Sequence, residues 1–142
     1  MKALYTAIAT SIGGREGHVK SSDGVLDMDV KKPKEMGGTG GLYTNPEQLF
    51  AAGYASCFSG ALSHVGLLRR IRVQSSVTAE VTIGEKETKN GFELAVEMLV
   101  NMPGVDQKTA EELAHEAHQF CPYSNAIRNN VDVKITVTTD PK

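Results

Sequence analysis

Cys57 and Cys121 are the two cysteines of the chain, and each sits in a dense local pattern: Thr44-Asn45-Pro46-Glu47-Gln48-Leu49-Phe50-Ala51-Ala52-Gly53-Tyr54-Ala55-Ser56-Cys57 and Phe120-Cys121-Pro122-Tyr123-Ser124-Asn125-Ala126. Sulfur is the one strong nucleophile displayed in a recognisable setting. The rest of the chain has a cytosolic character, where cellular reductants keep ordinary thiols reduced, so such a pair points to catalysis or metal binding before a structural staple. Redox chemistry is the first expectation.

What each thiol needs can be read from its neighbours. Cys57 falls about three turns into a helix that starts at Pro46, too deep for that helix's dipole to favour the thiolate much. A free thiol titrates at about 8.5 and is mostly protonated at neutral pH, so a reactive Cys57 needs a cation, and arginine stays charged while donating several hydrogen bonds. The arginines are Arg15, Arg69, Arg70, Arg72 and Arg128, and spacing does not choose among them. Without a cation, Cys57 reads as an inert thiol in an alanine-rich helix. Cys121 differs, because Pro122 disfavours α geometry before it and is suited to begin a new helix. If residues 122–128 form that helix, the Cys121 sulfur lies at its positive end, which favours the thiolate and disulfide exchange. The alternative is a buried packing cysteine.

Zinc is the rival chemistry, since His115, His118 and Cys121 recur at threes and Cys57 completes a set of four. Three-residue steps fan side chains across about 120° of a helix, whereas structural zinc takes its ligands from short knuckles, so no metal is expected. His64 shares a helical face with Cys57 but lies about 10 Å further along the axis, beyond a direct Cys-His dyad. No Gly-x-Ser-x-Gly elbow is present to indicate a serine hydrolase.

The elements that must position these residues follow from periodicity. Residues 5–30 read as strand, turn, strand, broken by Gly13-Gly14-Arg15-Glu16-Gly17 and Asp23-Gly24. Residues 31–42 form a loop with Gly37-Gly38-Thr39-Gly40-Gly41 at its tip, lacking the Gly-Lys-Ser/Thr of a phosphate loop. Asn45 caps a long central helix with Pro46 at its first position, running to Arg70 and crowded with small residues; Gly53 and Gly60 share a face, which points to a close-packed core or a dimer. Residues 73–83 and 92–100 alternate as strands around Asn90-Gly91, a hairpin signal. Asp106 caps a helix over 107–120, and residues 131–138 alternate as a last strand. The order predicts an α+β fold without repeats or separate domains.

Composition sets the limits. At 142 residues the chain fits a single domain, 1–142, able to bury roughly 68% of its unfolded surface. A net charge of −2 offers no electrostatic grip on nucleic acid. The N-terminal run fits a signal peptide poorly, the tail at 138–142 carries no lipidation or retention signal, and no apolar stretch approaches the roughly 18 residues needed to span a bilayer. A cytoplasmic protein with no membrane partner is the expectation.

Taken together, Tyr5-Thr6-Ala7, Gly13-Gly14-Arg15-Glu16-Gly17, Ser21-Ser22-Asp23-Gly24, the run 44–58 and Cys121-Pro122-Tyr123-Ser124-Asn125-Ala126 cover nearly the whole chain. In these motifs the sequence resembles the organic hydroperoxide resistance (Ohr) branch of the OsmC/Ohr family of thiol peroxidases. The resemblance implies that Cys57 attacks the peroxide, that Cys121 resolves the product as a Cys57–Cys121 disulfide, and that Arg15 with Glu47 activates Cys57. It further implies antiparallel sheets packed around the central helix and an intertwined homodimer with its sites at the subunit interface. An organic hydroperoxide is the implied substrate, no cofactor is held, and dihydrolipoyl groups on lipoylated carrier proteins are the implied external reductant. Glu47 and Cys57 lie about 15 Å apart along one helix and do not touch, so Arg15 must bridge them or Glu47 must come from the other subunit. Scattered apolar residues, Met36, Leu42, Phe50, Phe58 and Met102, are the expected pocket. The competing class is a redox-sensing or binding module that oxidises without turnover.

Overall fold

A computed structural model describes residues 1–141; Lys142, the end of the tail read above, lies outside them. The chain forms two compact units, Met1–Leu49 and Phe50–Lys142.

In the first unit, strands β1 (Ala9–Ile12), β2 (Gly17–Ser21) and β3 (Asp27–Val30) make an antiparallel meander. The turn between β2 and β3 is closed by Asp23, whose carboxylate accepts from Ser21 Oγ at 2.6 Å and from the Val25 amide at 3.0 Å. The strand expected from Tyr5 begins only at Ala9, opposite Ser21 at the end of β2, with one further bond from the Ser22 amide to the Ile8 carbonyl at 2.8 Å before it. A single 3-10 turn, Gly14–Glu16, carries Arg15 between β1 and β2. The glycine loop brings backbone close to backbone: a Cβ on Gly38 would stand 2.0 Å from the Lys32 carbonyl oxygen. Paired amides and carbonyls then tie Thr44 to β3, the Lys31 amide donating to the Thr44 carbonyl at 3.1 Å. That bridge delivers the chain into helix α1 (Pro46–Leu68), whose first turn is capped as expected, the Gln48 amide donating to Asn45 Oδ1 at 2.9 Å.

In the second unit, α1 ends two residues earlier than periodicity indicated. Arg70 turns the chain with a left-handed φ of 58°, and the Ile71 amide bonds back to the Gly66 carbonyl at 2.8 Å. Gly66 is required there, since a Cβ would meet Val73 Cγ2 at 2.6 Å. Strands β4 (Ser76–Glu85) and β5 (Phe92–Asn101) form the Asn90-Gly91 hairpin. Helices α2 (Gln107–Phe120) and α3 (Pro122–Ile127) follow, α2 capped by Asp106, which accepts from the Thr109 amide at 3.0 Å.

Strand β6 (Asp132–Thr138) corrects the expectation of wholly antiparallel sheets, for it runs parallel to β5, with Ala95 opposite Asp132 and Asn101 opposite Thr138. Its physical cause is the route taken: β5 reaches β6 through α2 and α3, a crossover long enough to return the chain in the same direction. The core of this unit joins Tyr54, Phe58, Leu62 and Val65 of α1 to Val96, Met98 and Val100 of β5 and to Leu113, Ala114 and Ala117 of α2. The α+β class is thus observed, with helices packed on one face of a sheet. No helix among the described residues is long and apolar enough to cross a membrane.

Candidate active site

Cys57 on α1 and Cys121 at the α2–α3 junction face each other as free thiols, their sulfurs 3.4 Å apart. Cys121 is fully buried, whereas Cys57 is partly open. The junction is made as the sequence indicated: Cys121 has extended backbone (φ −62°, ψ 123°) and Pro122 opens α3. The α3 N-terminus also reaches Cys57. The Tyr123 amide, in its first turn, donates to the sulfur of Cys57 on the neighbouring helix. Burial pushes the Cys57 thiol up from its ordinary value, the Tyr123 amide pulls it back down, and the adjoining Cys121 thiol adds to the upward push. Burial wins. The thiolate therefore needs a cation beyond these contacts.

Beside the sulfurs runs a buried polar junction that sequence reasoning missed. Ser124 Oγ lies 2.6 Å from the Tyr54 hydroxyl on α1 and 2.9 Å from His118 Nδ1 on α2. Tyr54 and Ser124 are both fully buried. Burial first, then the charge of Arg128, pulls the His118 imidazole below its usual value, which favours its neutral form. Arg128 itself is committed to backbone and amide oxygens, donating at 2.6 Å to the His118 carbonyl and at 2.6 Å to Asn125 Oδ1. The available signal was spacing: Tyr54 precedes Cys57 by three residues, and His118 and Ser124 flank Cys121 by three on either side. Gly53 adds a close approach of its own, for a Cβ there would stand 2.9 Å from the Tyr123 hydroxyl. Its small size serves this contact within the chain.

In the first unit, Arg15 and Glu47 form a two-pronged ion pair, Nη1 to Oε2 and Nη2 to Oε1, each at 2.8 Å. The Arg15 guanidinium holds the Glu47 carboxyl below its usual range. Arg69, another arginine considered, pairs with Glu112 and Glu116 at 3.1 and 3.2 Å.

The remaining expectations fare differently. His64 stacks on Phe120 with ring centres 4.1 Å apart. Among the described residues no group of three or more His, Cys, Asp or Glu side chains converges on a metal-sized point. Of the suggested pocket residues, Phe58 and Met102 are packed into the core, Leu42 is fully exposed, Met36 is half-buried, and Phe50 lies half-buried against Tyr54 and Tyr123.

Comparison with known proteins gives a consistent result. A family model described as OsmC-like protein matches residues 38–136. Organic hydroperoxide resistance protein OhrB of Bacillus subtilis is 50% identical over 135 residues, covering 94% of this chain and 97% of its own length. An organic hydroperoxide resistance protein of Xanthomonas axonopodis pv. citri is 47% identical over 136 residues, covering 96% of each. Among solved structures, an organic hydroperoxide resistance protein from Elizabethkingia anophelis superposes with a TM-score of 0.93 at 51% identity, covering 99% of this chain and 100% of that one.

Proposed function

The chain belongs to the organic hydroperoxide resistance branch of the OsmC-like family, and we propose that it is a thiol peroxidase that reduces organic hydroperoxides to alcohols. The observation that carries the reading is the unequal exposure of two facing thiols: Cys57 is partly open, and Cys121, 3.4 Å away, is buried.

The chemistry then follows in order. Cys57 thiolate attacks a peroxide oxygen, the O–O bond breaks, and the departing alkoxide takes a proton to leave as an alcohol. Cys57 is left as a sulfenic acid. Cys121 attacks that sulfur, the S–O bond breaks, and water departs with the Cys121 proton as the Cys57–Cys121 disulfide forms. A dithiol must reduce it, and on the strength of the resemblance we assign that role to dihydrolipoyl groups on lipoylated carrier proteins, in the cytoplasm.

Arg15 is the cation assigned to the Cys57 thiolate, with Glu47 holding its guanidinium in orientation. Support comes from the rigid two-pronged geometry of the pair and from a Cys57 environment that by itself keeps the thiol protonated. A homodimer is part of the reading. In the single chain Ile8 and Ile12 of the first unit, and Leu67 and Leu68 of the second, are exposed, and apolar surface of that kind calls for cover.

Turnover separates this reading from a sensor. With dihydrolipoamide in excess, the protein should consume organic hydroperoxide many-fold beyond its own concentration. Consumption that stops at one equivalent per chain under the same conditions would identify a module that oxidises without turnover.

A further inference from the structure

We propose that Tyr54, Ser124 and His118 are positioning residues for disulfide formation, acting through one hydrogen-bonded junction that sets where Cys121 stands against Cys57. The inference rests on the resolving role proposed for Cys121.

Three helices meet at a single oxygen. Ser124 Oγ, fully buried in the first turn of α3, is bonded at 2.6 Å to the Tyr54 hydroxyl of α1 and at 2.9 Å to His118 Nδ1 of α2. One hydroxyl can serve both, since it has one proton to give and lone pairs to accept with. Each partner sits three residues from a cysteine, about one helical turn, so the junction and the sulfurs are held at neighbouring levels of the same helices. Cys121 itself lies between α2 and α3, at extended backbone, its amide closing the last turn of α2 on the Ala117 carbonyl at 2.8 Å and its carbonyl opening α3 by accepting from the Asn125 amide at 3.0 Å. The angle between those two helices therefore aims its sulfur. Ser124 with His118 closes that angle, and Ser124 with Tyr54 fastens α3 to the helix bearing Cys57. Arg128 reinforces the same turn by donating to the His118 carbonyl at 2.6 Å.

Such a brace acts on the resolving step. For the S–S bond to form and the S–O bond to break, Cys121 must approach the Cys57 sulfenic sulfur in line with the departing oxygen, which then carries away the Cys121 proton as water. Both sulfurs are reacting atoms, and their relative placement governs the rate. The attack of Cys57 on peroxide needs no such placement of Cys121.

The experiment follows both steps in single-turnover mass spectrometry with an organic hydroperoxide, in the wild type, Ser124→Ala, Ser124→Thr and Tyr54→Phe. Loss of the hydroxyl in Ser124→Ala, or of one oxygen in Tyr54→Phe, should slow disulfide formation relative to Cys57 oxidation by at least about fivefold, the factor that one hydrogen bond of about 1 kcal/mol represents. Cys57 sulfinic acid should then build up at excess peroxide, because the sulfenic acid lives longer. Ser124→Thr, which keeps the hydroxyl, should restore the ratio toward that of wild type. An unchanged ratio in Tyr54→Phe, which keeps the ring, overturns the inference even if Ser124→Ala fails to fold. So does a ratio unchanged in both variants, or two steps slowed equally. If wild-type protein forms no Cys57–Cys121 disulfide at all, the proposed function falls and this inference falls with it, whereas a wild-type disulfide with unchanged variant ratios removes the inference alone.

Discussion

The sulfurs of Cys57 and Cys121 stand 3.4 Å apart as free thiols, one partly open and the other fully buried. Distance makes them partners, and exposure makes them unequal.

That inequality predicts different failures for the two cysteines. Cys57→Ser should abolish reaction with organic hydroperoxide. Cys121→Ser should react once at close to the wild-type rate and then stall, collecting sulfenic and sulfinic acid at Cys57. Stopped-flow kinetics with mass spectrometry of the products checks both. Equal loss of the first step in the two variants would reverse or blur the assignment.

For the ion pair, Arg15→Ala and Glu47→Ala should differ in kind. Removing the guanidinium should raise the Cys57 pKa and collapse peroxide reactivity at neutral pH, while removing Glu47 leaves the cation and lowers reactivity through lost orientation. Thiolate absorbance against pH in a Cys121→Ser background reads the first effect. The pair also has an acid signature. Because Arg15 depresses the Glu47 pKa, its stabilisation is present above the unfolded value of about 4.3 and is lost as pH falls through the lower folded value. Glu47→Gln should flatten that part of the acid unfolding profile.

His18 supplies the opposite sign. Its Nδ1 meets Asp29 at 2.7 Å and its Nε2 meets Asp27, and these carboxylates raise its pKa, the Asp29 bond most. The contribution to stability is therefore complete below the unfolded value of about 6.5 and fades as pH rises through the higher folded one. Thermal unfolding from pH 6 upward should show a decline that His18→Gln removes.

Two glycines of α1 test packing and assembly. Gly66→Ala should destabilise by about 1–3 kcal/mol, since the new methyl meets Val73 and the Ile71 carbonyl. Gly60 has nothing within 4 Å in the single chain. If α1 packs against a second copy there, Gly60→Ala should weaken a dimer seen by light scattering. A gain of about 1 kcal/mol, the helix-propensity difference, would instead show that Gly60 stays open to water.

Much of this was legible locally. Asn45-Pro46, Asn90-Gly91, Asp106 and Cys121-Pro122 each fix the backbone within a few residues, and each element boundary they mark is found near its expected place. What was not legible is long-range. The parallel pairing of β6, the junction between Tyr54 and Ser124, and the delivery of the Tyr123 amide to Cys57 all depend on how helices pack. The Arg15–Glu47 pair spans a gap that no periodicity crosses, and only the resemblance singled it out among the arginines. Small end effects, such as the stop of α1 at Leu68, come from a left-handed turn at Arg70 that its residue type does not announce.

The most direct test of the central claim is disulfide mapping. Reduced wild-type protein is mixed with one equivalent of an organic hydroperoxide, then alkylated, digested and weighed. The account predicts loss of both thiols per chain and a single linked peptide pair joining Cys57 to Cys121 within one chain. Two thiols that persist, or a linkage found only between chains, would contradict it.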